Sequence, residues 1–547
     1  MARSSIDSAE EEGFSGPPSE ENEDFQPQAS HHHPYAPSHE VFDISTTVDP
    51  SYLISLIRKL LPPEYSNQSL DSEVHVSPSK GPRTENGERT MVSPFNGGEV
   101  QPCAGCENAV RNICENFSEA HNPPGFTEDA MEDQQKHRSA SGEEAAWEEH
   151  GCTLWDLAAN ETHAELMVQN LILEVLLANL MVSQSARITE ISLGIIGNLA
   201  CHEVSRKHIA STNGLIKTIV DQLFLDDAQC LCEALRVITL CFQSGEGVVW
   251  TEALTPEHIL SRILWIAENT LNLPLIEKSV GLLSAILGSE QEIARVLLPP
   301  LMKFGLPNLL INLFSFEMSK LTEERMPERY PVLDIILQAL EALSAADDFS
   351  SYICSNRELF KLLNDLIKLP DKTEVASSCV TAAVLVANIL PEVEHLASEI
   401  SEDFCFSQGI FDIIPFAYDD IEAKGALWSI LERLLICIEV SECNPSSLHQ
   451  YISILVSKSD VIEEEFVDLQ LADASEEGKS FTDGTYRRTR TRTLRRIFDI
   501  LKQWEFLKAQ LKDAPLSEVN VVNEGDVNKL LQYCRKCLEC EKASSFI

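Results

Sequence analysis

The sequence predicts an all-α protein in which most of the chain forms a solenoid of helical repeats. Three observations predict this class. From about residue 143 onward, apolar residues recur at helical spacing almost without a break. Apolar residues make up 44% of the chain but aromatic residues only 7%, so Leu, Ile, Val and Ala dominate, which favours helices over β-sandwiches or barrels. Finally, one phrase of small and apolar residues returns at intervals.

The recurring phrase marks one helix in each repeat. It reads LGIIGNLAC at 193–201, EALRVITLC at 233–241, VGLLSAILG at 280–288, QALEALSAA at 338–346, AAVLVANIL at 382–390 and GALWSILER at 425–433. The starts are separated by 40, 47, 58, 44 and 43 residues, close to the period of about 40 to 47 residues of armadillo and HEAT repeats. We therefore expect an armadillo/HEAT-like right-handed α-solenoid over residues 143–456.

Glycines support the same class in two ways. Gly214, Gly305 and Gly409 each precede or open a hydrophobic segment, as a glycine does between the helices of an armadillo repeat. The phrase at 193–201 also holds Gly194 and Gly197 inside a helix, where each costs about 1 kcal/mol relative to alanine. We expect this cost to be offset by close packing between adjacent helices.

The N-terminal third differs in composition. Residues 1–41 predict a disordered acidic tail and residues 65–142 a disordered linker, because neither can bury enough apolar surface. Between them, residues 42–64 predict a short amphipathic docking helix, with Asp49 as N-cap and Pro50 at the first position. It either folds back on the repeats or binds a partner. Ser77 and Ser93, each followed by proline, are candidates for phosphorylation.

Charge and hydropathy restrict the class of partner. The formal net charge is -44, which disfavours direct binding of nucleic acid or anionic lipid and favours a basic or amphipathic protein segment. The sequence shows neither a secretion signal nor a membrane-spanning stretch, so we expect a protein of the nucleus, the cytoplasm or both. In such a reducing compartment the cysteines remain thiols. The oligomeric state is not predicted.

One region resembles a known family. Trp155 and Asp156 precede by some forty residues the phrase that ends in Ile196–Cys201, and this arrangement resembles the serum amyloid A-like protein family. The segment SYLISLIRKLLPPEY at 51–65 also resembles that family's N-terminal helix. The resemblance implies an armadillo-like solenoid without enzymatic activity, nuclear in animal members and linked there to cell proliferation. The long acidic start indicates a divergent member, for which a plant type is one option.

Motifs for catalysis and metal binding are weak or lacking. The sequence has no phosphate-binding glycine loop, nucleophile elbow or HExxH pair, so we expect neither an enzyme nor a cofactor. A weak zinc candidate combines Cys103, Cys106, Cys114 and His121. The alternative is a chance CxxC in a disordered linker.

The C-terminal region carries a basic run. We expect an acidic loop over 457–485, then C-terminal helices over 486–547 that close the solenoid. The run contains six arginines, Arg487, Arg488, Arg490, Arg492, Arg495 and Arg496. Pairing with the upstream acidic residues, a nuclear-import signal and contact with nucleic-acid phosphates all remain open.

The exposed surface of the solenoid is the last candidate site. In armadillo carriers, an asparagine late in the third helix binds the backbone of an extended peptide, and a tryptophan one turn earlier holds basic side chains. Asn198, Asn388 and Trp428 are candidates here, but the aligned position holds Thr239 and Ile286 in two other repeats, and Trp428 has no asparagine one turn later. The sequence therefore predicts a non-enzymatic interaction scaffold or adaptor. The alternative is an importin-like carrier or an acidic chaperone for a basic nuclear cargo.

Overall fold

The computed structural model describes residues 48–62, 129–243, 245–346, 349–393, 395–440, 445–472, 481–510 and 523–544. The predicted acidic tail, most of the predicted linker, the two Ser-Pro sites Ser77 and Ser93, and the zinc candidates Cys103, Cys106, Cys114 and His121 lie outside these residues. All regular secondary structure within them is helical, which confirms the all-α class.

Twenty-four α-helices follow one another along the described residues. In chain order they are α1 (Pro50–Lys59), α2 (Asp129–Leu157), α3 (Glu161–Gln169), α4 (Ile172–Val182), α5 (Ala186–Leu199), α6 (Glu203–Ser211), α7 (Leu215–Asp221), α8 (Ala228–Phe242), α9 (Gly247–Leu254), α10 (Glu257–Asn269), α11 (Leu273–Leu287), α12 (Gln291–Lys303), α13 (Leu306–Glu323), α14 (Tyr330–Ala345), α15 (Ser350–Cys354), α16 (Arg357–Ile367), α17 (Ala376–Ile389), α18 (Leu396–Ser401), α19 (Phe404–Ile413), α20 (Ile421–Val440), α21 (Pro445–Ser457), α22 (Ser459–Ala472), α23 (Phe481–Gln510) and α24 (Glu524–Ser544).

The helices pack with a period of three. The third helix of each repeat contacts the third helix of the next repeat. We call this series of stacked third helices the third-helix ladder and each of its helices a rung. Its rungs are α2, α5, α8, α11, α14, α17, α20 and α23. The six recurring phrases of the sequence fall on six successive rungs, α5 to α20. Each of those rungs also packs against the second helix of its own repeat, so the armadillo-like solenoid is confirmed.

Two of the three predicted glycine turns are present. Gly214 and Gly305 have φ angles of 82° and 93° directly before α7 and α13, a backbone conformation in which glycine is free of strain. Leu171 holds the same place before α4 with φ 64°. Gly409 instead lies inside α19, where an added Cβ would stand 2.5 Å from the carbonyl oxygen of Ile367. It permits close helix contact and makes no turn.

The N-terminal helix α1 docks on the solenoid. The Asp49 carboxylate accepts a hydrogen bond of 2.8 Å from the Ser51 amide and caps the helix. Its apolar face is buried against α2 and α3, and its buried side chains are Leu53, Leu56 and Ile57, followed by Leu60 beyond the last turn. A ten-residue helix is marginal alone in water, so this burial is what stabilises it.

Two side chains fix the end of α1. The carbonyl oxygen of Leu60 accepts a hydrogen bond from Trp147 Nε1 at 3.1 Å and another from Asn179 Nδ2 at 2.8 Å. Both donors are buried, and they belong to α2 and α4. The end of α1 is thus tied to two helices at the start of the solenoid.

The structure differs from two predicted boundaries. Helix α2 begins at Asp129, inside the range 65–142 assigned to the linker. An α-helix of 14 residues, α22, lies within the range 457–485 assigned to an acidic loop, and α23 already begins at Phe481. The segment forms a helix because glutamate and leucine are good helix formers and because Ile462 and Glu465 are buried.

No single helix in the described parts of the chain is both long enough and apolar enough to cross a membrane. Only joined pairs with a sharp bend reach that length and composition, namely Glu161–Gln169 with Ile172–Val182 and Gln291–Lys303 with Leu306–Glu323.

Candidate functional site

Contacts among Trp155, Asn198 and Arg236 join the first three rungs of the ladder, α2, α5 and α8. The Trp155 ring lies against Gly194 and the Arg236 guanidinium against Gly197, so closely that a Cβ at either glycine would overlap them. Asn198 Nδ2 donates to the Trp155 carbonyl at 2.9 Å, and its Oδ1 accepts from Arg236 at 3.2 Å. The paired glycines therefore exist for close packing between α2, α5 and α8.

Asn388 has a similar role on rung α17. Its Nδ2 donates to the hydroxyl of Ser344 on the preceding rung at 3.0 Å. Asn198 and Asn388 thus both use their amide groups to join neighbouring rungs. Each of these bonds uses one of the two N–H donors of the side-chain amide, so both asparagines have a structural role, and contact of either residue with a peptide backbone stays a prediction.

The third groove candidate, Trp428, is fully buried in α20. Its indole Nε1 lies 3.4 Å from a carboxylate oxygen of Glu465, and its carbonyl accepts a hydrogen bond from Thr493 at 3.2 Å. Helices α22 and α23 supply these two partners and cover the ring. The expectation of a ligand-contacting tryptophan is corrected accordingly, since Trp428 belongs to the core.

Glu465 is the centre of a buried polar cluster between α20, α22 and α23. Its carboxylate pairs with Lys424 at 2.8 Å and accepts from the Tyr486 hydroxyl at 2.8 Å, while its carbonyl accepts from Arg490 at 2.6 Å. Burial raises the pKa of Tyr486, although the nearby Arg490 acts in the opposite direction. The buried Arg490 is a structural residue and not part of an exposed basic patch.

The other arginines of the run are distributed over α23. Arg488, Arg492 and Arg495 are exposed, whereas Arg487 and Arg496 are half-buried. Arg492 lies 3.4 Å from the Glu432 carboxylate of the preceding rung. The exposed three form a basic end to the ladder.

We call the solvent-accessible side of the rungs from α5 to α23 the third-helix face. On its first rungs, acidic residues are neutralised within the protein. Glu190 pairs with Arg187 at 2.7 Å, Glu233 with Arg236 at 2.7 Å, and Glu277 with Lys278 at 2.9 Å. This part of the face offers little net charge to a partner.

Four carboxylates on or beside the later rungs lack such cations. Asp334 and Glu341 lie on α14, Asp420 precedes α20, and Glu422 lies in its first turn. None of these four pairs with a lysine or arginine in the described ranges. Burial raises the pKa of Asp334, against the effect of the hydrogen bond from Ser378. Burial and then the carboxylates of Asp420 and Glu422 raise the pKa of Glu341.

Burial disfavours the charged form of both carboxyl groups, and no nearby cation offsets this effect in the described ranges. The third-helix face therefore has three electrostatic zones. Its carboxylates are self-paired on α5 to α11, those of α14 and of the start of α20 are uncompensated and form the acidic zone, and α23 is basic. The acidic zone is where a cationic group would be attracted most strongly.

Metal chemistry receives no support from the described ranges. They contain no group of three or more His, Cys, Asp or Glu side chains placed to hold an ion. Buried thiols such as Cys230 and Cys241 have their pKa raised to about 12 by burial, which keeps them protonated and unreactive.

Sequence reasoning missed the acidic zone. The run PFAYDDIE at 415–422, which combines aromatic and acidic residues, was a visible signal for it. Asp334 and Glu341 gave no such signal, because their relation to this run depends on how α14 packs in the ladder.

Comparison with known proteins gives distant similarity. No family model matches the chain. Two curated relatives are Protein saal1 of Danio rerio, 25% identical over 209 residues, and Protein SAAL1 of Homo sapiens, 28% identical over 130 residues. These matches cover 37% and 23% of this chain, and 44% and 27% of the relatives. The chain therefore matches less than half the length of either relative.

The expected membership of a serum amyloid A-like family is wrong as a family assignment. The matches to proteins of that name are too distant and too short to establish it, no family model supports it, and the name describes no fold. The helices themselves show an armadillo-like solenoid.

Solved structures of similar shape include an engineered protein and a designed armadillo repeat protein. The first has a TM-score of 0.42 and 15% identity, with 72% of this chain and 85% of that chain covered. The second, described as in complex with the peptide (KR)4, has a TM-score of 0.36 and 14% identity, with 44% and 93% covered. The fold assignment rests on the helix packing described above and not on these scores.

Proposed function

We propose that this protein is a non-enzymatic scaffold that binds a basic segment of a partner protein along rungs α14 to α20 of the third-helix face. The observation that carries the proposal is the set of carboxylates without cationic partners on these rungs. Stacked repeats present an extended surface that suits an extended segment. The net charge of -44 would accelerate association with a basic partner at low salt.

We further propose that the scaffold acts in the nucleus or moves between nucleus and cytoplasm. The exposed Arg488, Arg492 and Arg495 support an import signal on α23. Replacing these three by alanine in a fluorescent fusion should move the fusion into the cytoplasm. A link to the control of cell proliferation belongs to the same proposal, and the growth rate of cells that lack the protein tests it.

A binding experiment tests the scaffold proposal. A fluorescent octapeptide of alternating lysine and arginine is titrated with the full chain at low salt. Glu341→Gln combined with Glu422→Gln should weaken binding about fivefold or more, since two favourable charge contacts are lost. The matched control combines Glu203→Gln with Glu257→Gln, which removes the same charge from exposed sites in α6 and α10.

The control decides between two modes of binding. If the binding site lies on α14 to α20, the control pair should lower the affinity for the octapeptide by less than twofold. An equal loss in both variants would mean that total charge drives binding, which is the behaviour of an acidic chaperone for basic cargo. The large net negative charge favours that second candidate, whereas the internal bonds of Asn198 and Asn388 disfavour an importin-like carrier.

A further inference from the structure

A cavity of about 660 Å³ lies beside the acidic zone, between α17 and the start of α20. Helix α17 contributes Ser377, Val380 and Thr381 to one wall, and residues 416–422 form the other. Phe416 and Tyr418 belong to this second wall. The cavity therefore borders the third-helix face at the place where its carboxylates are uncompensated.

The second wall exposes large apolar side chains. Phe416 is 43% exposed, Tyr418 65% and Ile421 46%, within six consecutive positions. Aromatic residues with this exposure are the type that dominates binding energy at protein interfaces. Phe416, Tyr418 and Ile421 together form an apolar surface against which a long side chain of a partner could pack.

Carboxylates surround the same rings. Asp419, Asp420 and Glu422 line the cavity, and Glu341 is close enough to Asp420 and Glu422 to sense their charge. Asp420 Oδ1 also accepts a hydrogen bond of 2.8 Å from the Ala423 amide, so its position is fixed. The cavity thus combines aromatic surface with excess negative charge.

One cation of the protein already lies near Tyr418. The Lys424 ammonium stands 5.0 Å from the ring centroid, but it is buried and paired with Glu465 at 2.8 Å. That pairing leaves the carboxylates of the cavity without a counter-charge. The contact also shows that the Tyr418 ring is placed where a cation–π interaction can form.

We infer that this cavity receives the side chain of one arginine from the basic partner segment, an inference that rests on the proposed function. Arginine fits better than lysine because its planar guanidinium can stack on Tyr418 and Phe416 while it donates paired hydrogen bonds to Asp419 or Glu422. Its aliphatic stem would lie along Val380 and Ile421. A lysine would supply equal charge without stacking or paired donors.

The test compares two peptides of equal charge, octa-arginine and octa-lysine, with the full chain. Octa-arginine should bind about fivefold more tightly. Tyr418→Ser should reduce this preference to below twofold and leave octa-lysine binding within twofold of its original value. Phe416→Ser is the second variant, with the same expectation. The matched control is Tyr352→Ser, because Tyr352 is a tyrosine of α15 that is 50% exposed and outside the cavity.

The outcomes separate the two proposals. Equal binding of both peptides to the unmodified protein, still weakened by Glu341→Gln with Glu422→Gln, would overturn the arginine cavity and retain the scaffold. Binding of neither peptide would overturn both. A preference that survives in Tyr418→Ser and Phe416→Ser, with both variants folded by circular dichroism, would also overturn the cavity. If Tyr352→Ser also lost the preference for octa-arginine over octa-lysine, the arginine cavity would be overturned too.

Discussion

At the residue scale, Gly194 and Gly197 are alike in sequence but differ in their neighbours. A Cβ at Gly194 would meet the indole ring of Trp155, and a Cβ at Gly197 would meet the end of the Arg236 side chain. An indole ring is rigid and packed, whereas an arginine can change rotamer. The two glycines should therefore tolerate substitution differently.

Gly194→Ala should lower the free energy of unfolding by about 1–3 kcal/mol, as overpacking does. Gly197→Ala should stay within about 1 kcal/mol of the unmodified protein, because the gain in helix propensity offsets the shift of Arg236. Gly197→Leu should destabilise more than Gly197→Ala. Urea unfolding followed by circular dichroism measures all three, and a larger loss for Gly197→Ala than for Gly194→Ala would contradict this packing account.

Glu341 illustrates a residue whose charge weakens the fold. Its pKa is raised in the folded state, so the folded protein binds this proton more tightly than the unfolded chain does. The stability that protonation provides is present at low pH and is lost as pH rises through the raised pKa. At neutral pH the ionised carboxylate is therefore destabilising.

Glu341→Gln should raise the thermal unfolding midpoint at pH 7 and should have a smaller effect at pH 4. The same variant should weaken binding of the basic octapeptide, since the carboxylate that destabilises the free protein would attract the partner. Scanning calorimetry at the two pH values measures the first effect. A lower midpoint at pH 7 would show that Glu341 has an unrecognised stabilising partner.

Sequence reasoning was partly sufficient for individual residues. It identified Gly194 and Gly197 as packing residues and placed Asn198 late in a third helix. It could not find the partners of Asn198, because Trp155 and Arg236 lie 43 and 38 residues away and meet it only when the rungs stack. Trp428 was misassigned because its cover comes from a helix 65 residues further along.

At the element scale, α1 covers apolar surface of the first helices of the solenoid. Four buried apolar side chains and two hydrogen bonds to the Leu60 carbonyl hold it. The sequence predicted the helix from its N-cap and apolar face. It could not predict the bonds from Trp147 and Asn179, which are 87 and 119 residues away.

Deletion of residues 42–64 should lower the thermal unfolding midpoint, because the apolar surfaces of α2 and α3 lose their cover. A synthetic peptide of residues 48–62 added in excess should restore part of the loss by mass action. A peptide with Leu53→Asp and Ile57→Asp is the control and should restore nothing. An unchanged midpoint after the deletion would contradict this covering role of α1.

At the scale of the whole molecule, the ladder combines one fold with three electrostatic zones. Helical periodicity predicted the solenoid and the order of the rungs. Net charge predicted an acidic surface but could not locate it, because Glu190, Glu233 and Glu277 have cationic partners while Glu341 and Glu422 do not. Which carboxylates remain uncompensated depends on three-dimensional neighbours.

The exposed arginines of α23 should repel a basic segment that is bound on the acidic zone and so weaken its binding. Arg492→Ala with Arg495→Ala should strengthen binding of the alternating octapeptide about twofold or more at low salt, because two repelling cations are removed and Glu432 loses its pairing with Arg492. The effect should shrink in 0.5 M salt. Weaker binding in this variant would mean that the arginines contact the partner directly.

The location of the bound segment is the most direct test of the central claim. A benzophenone-labelled octapeptide of alternating lysine and arginine is photo-crosslinked to the full chain, and the attachment sites are mapped by mass spectrometry. The acidic zone predicts crosslinks on α14, α17 and α20 whose yield falls in Glu341→Gln with Glu422→Gln. Crosslinks concentrated on α5 and α8, or on α23, would contradict it.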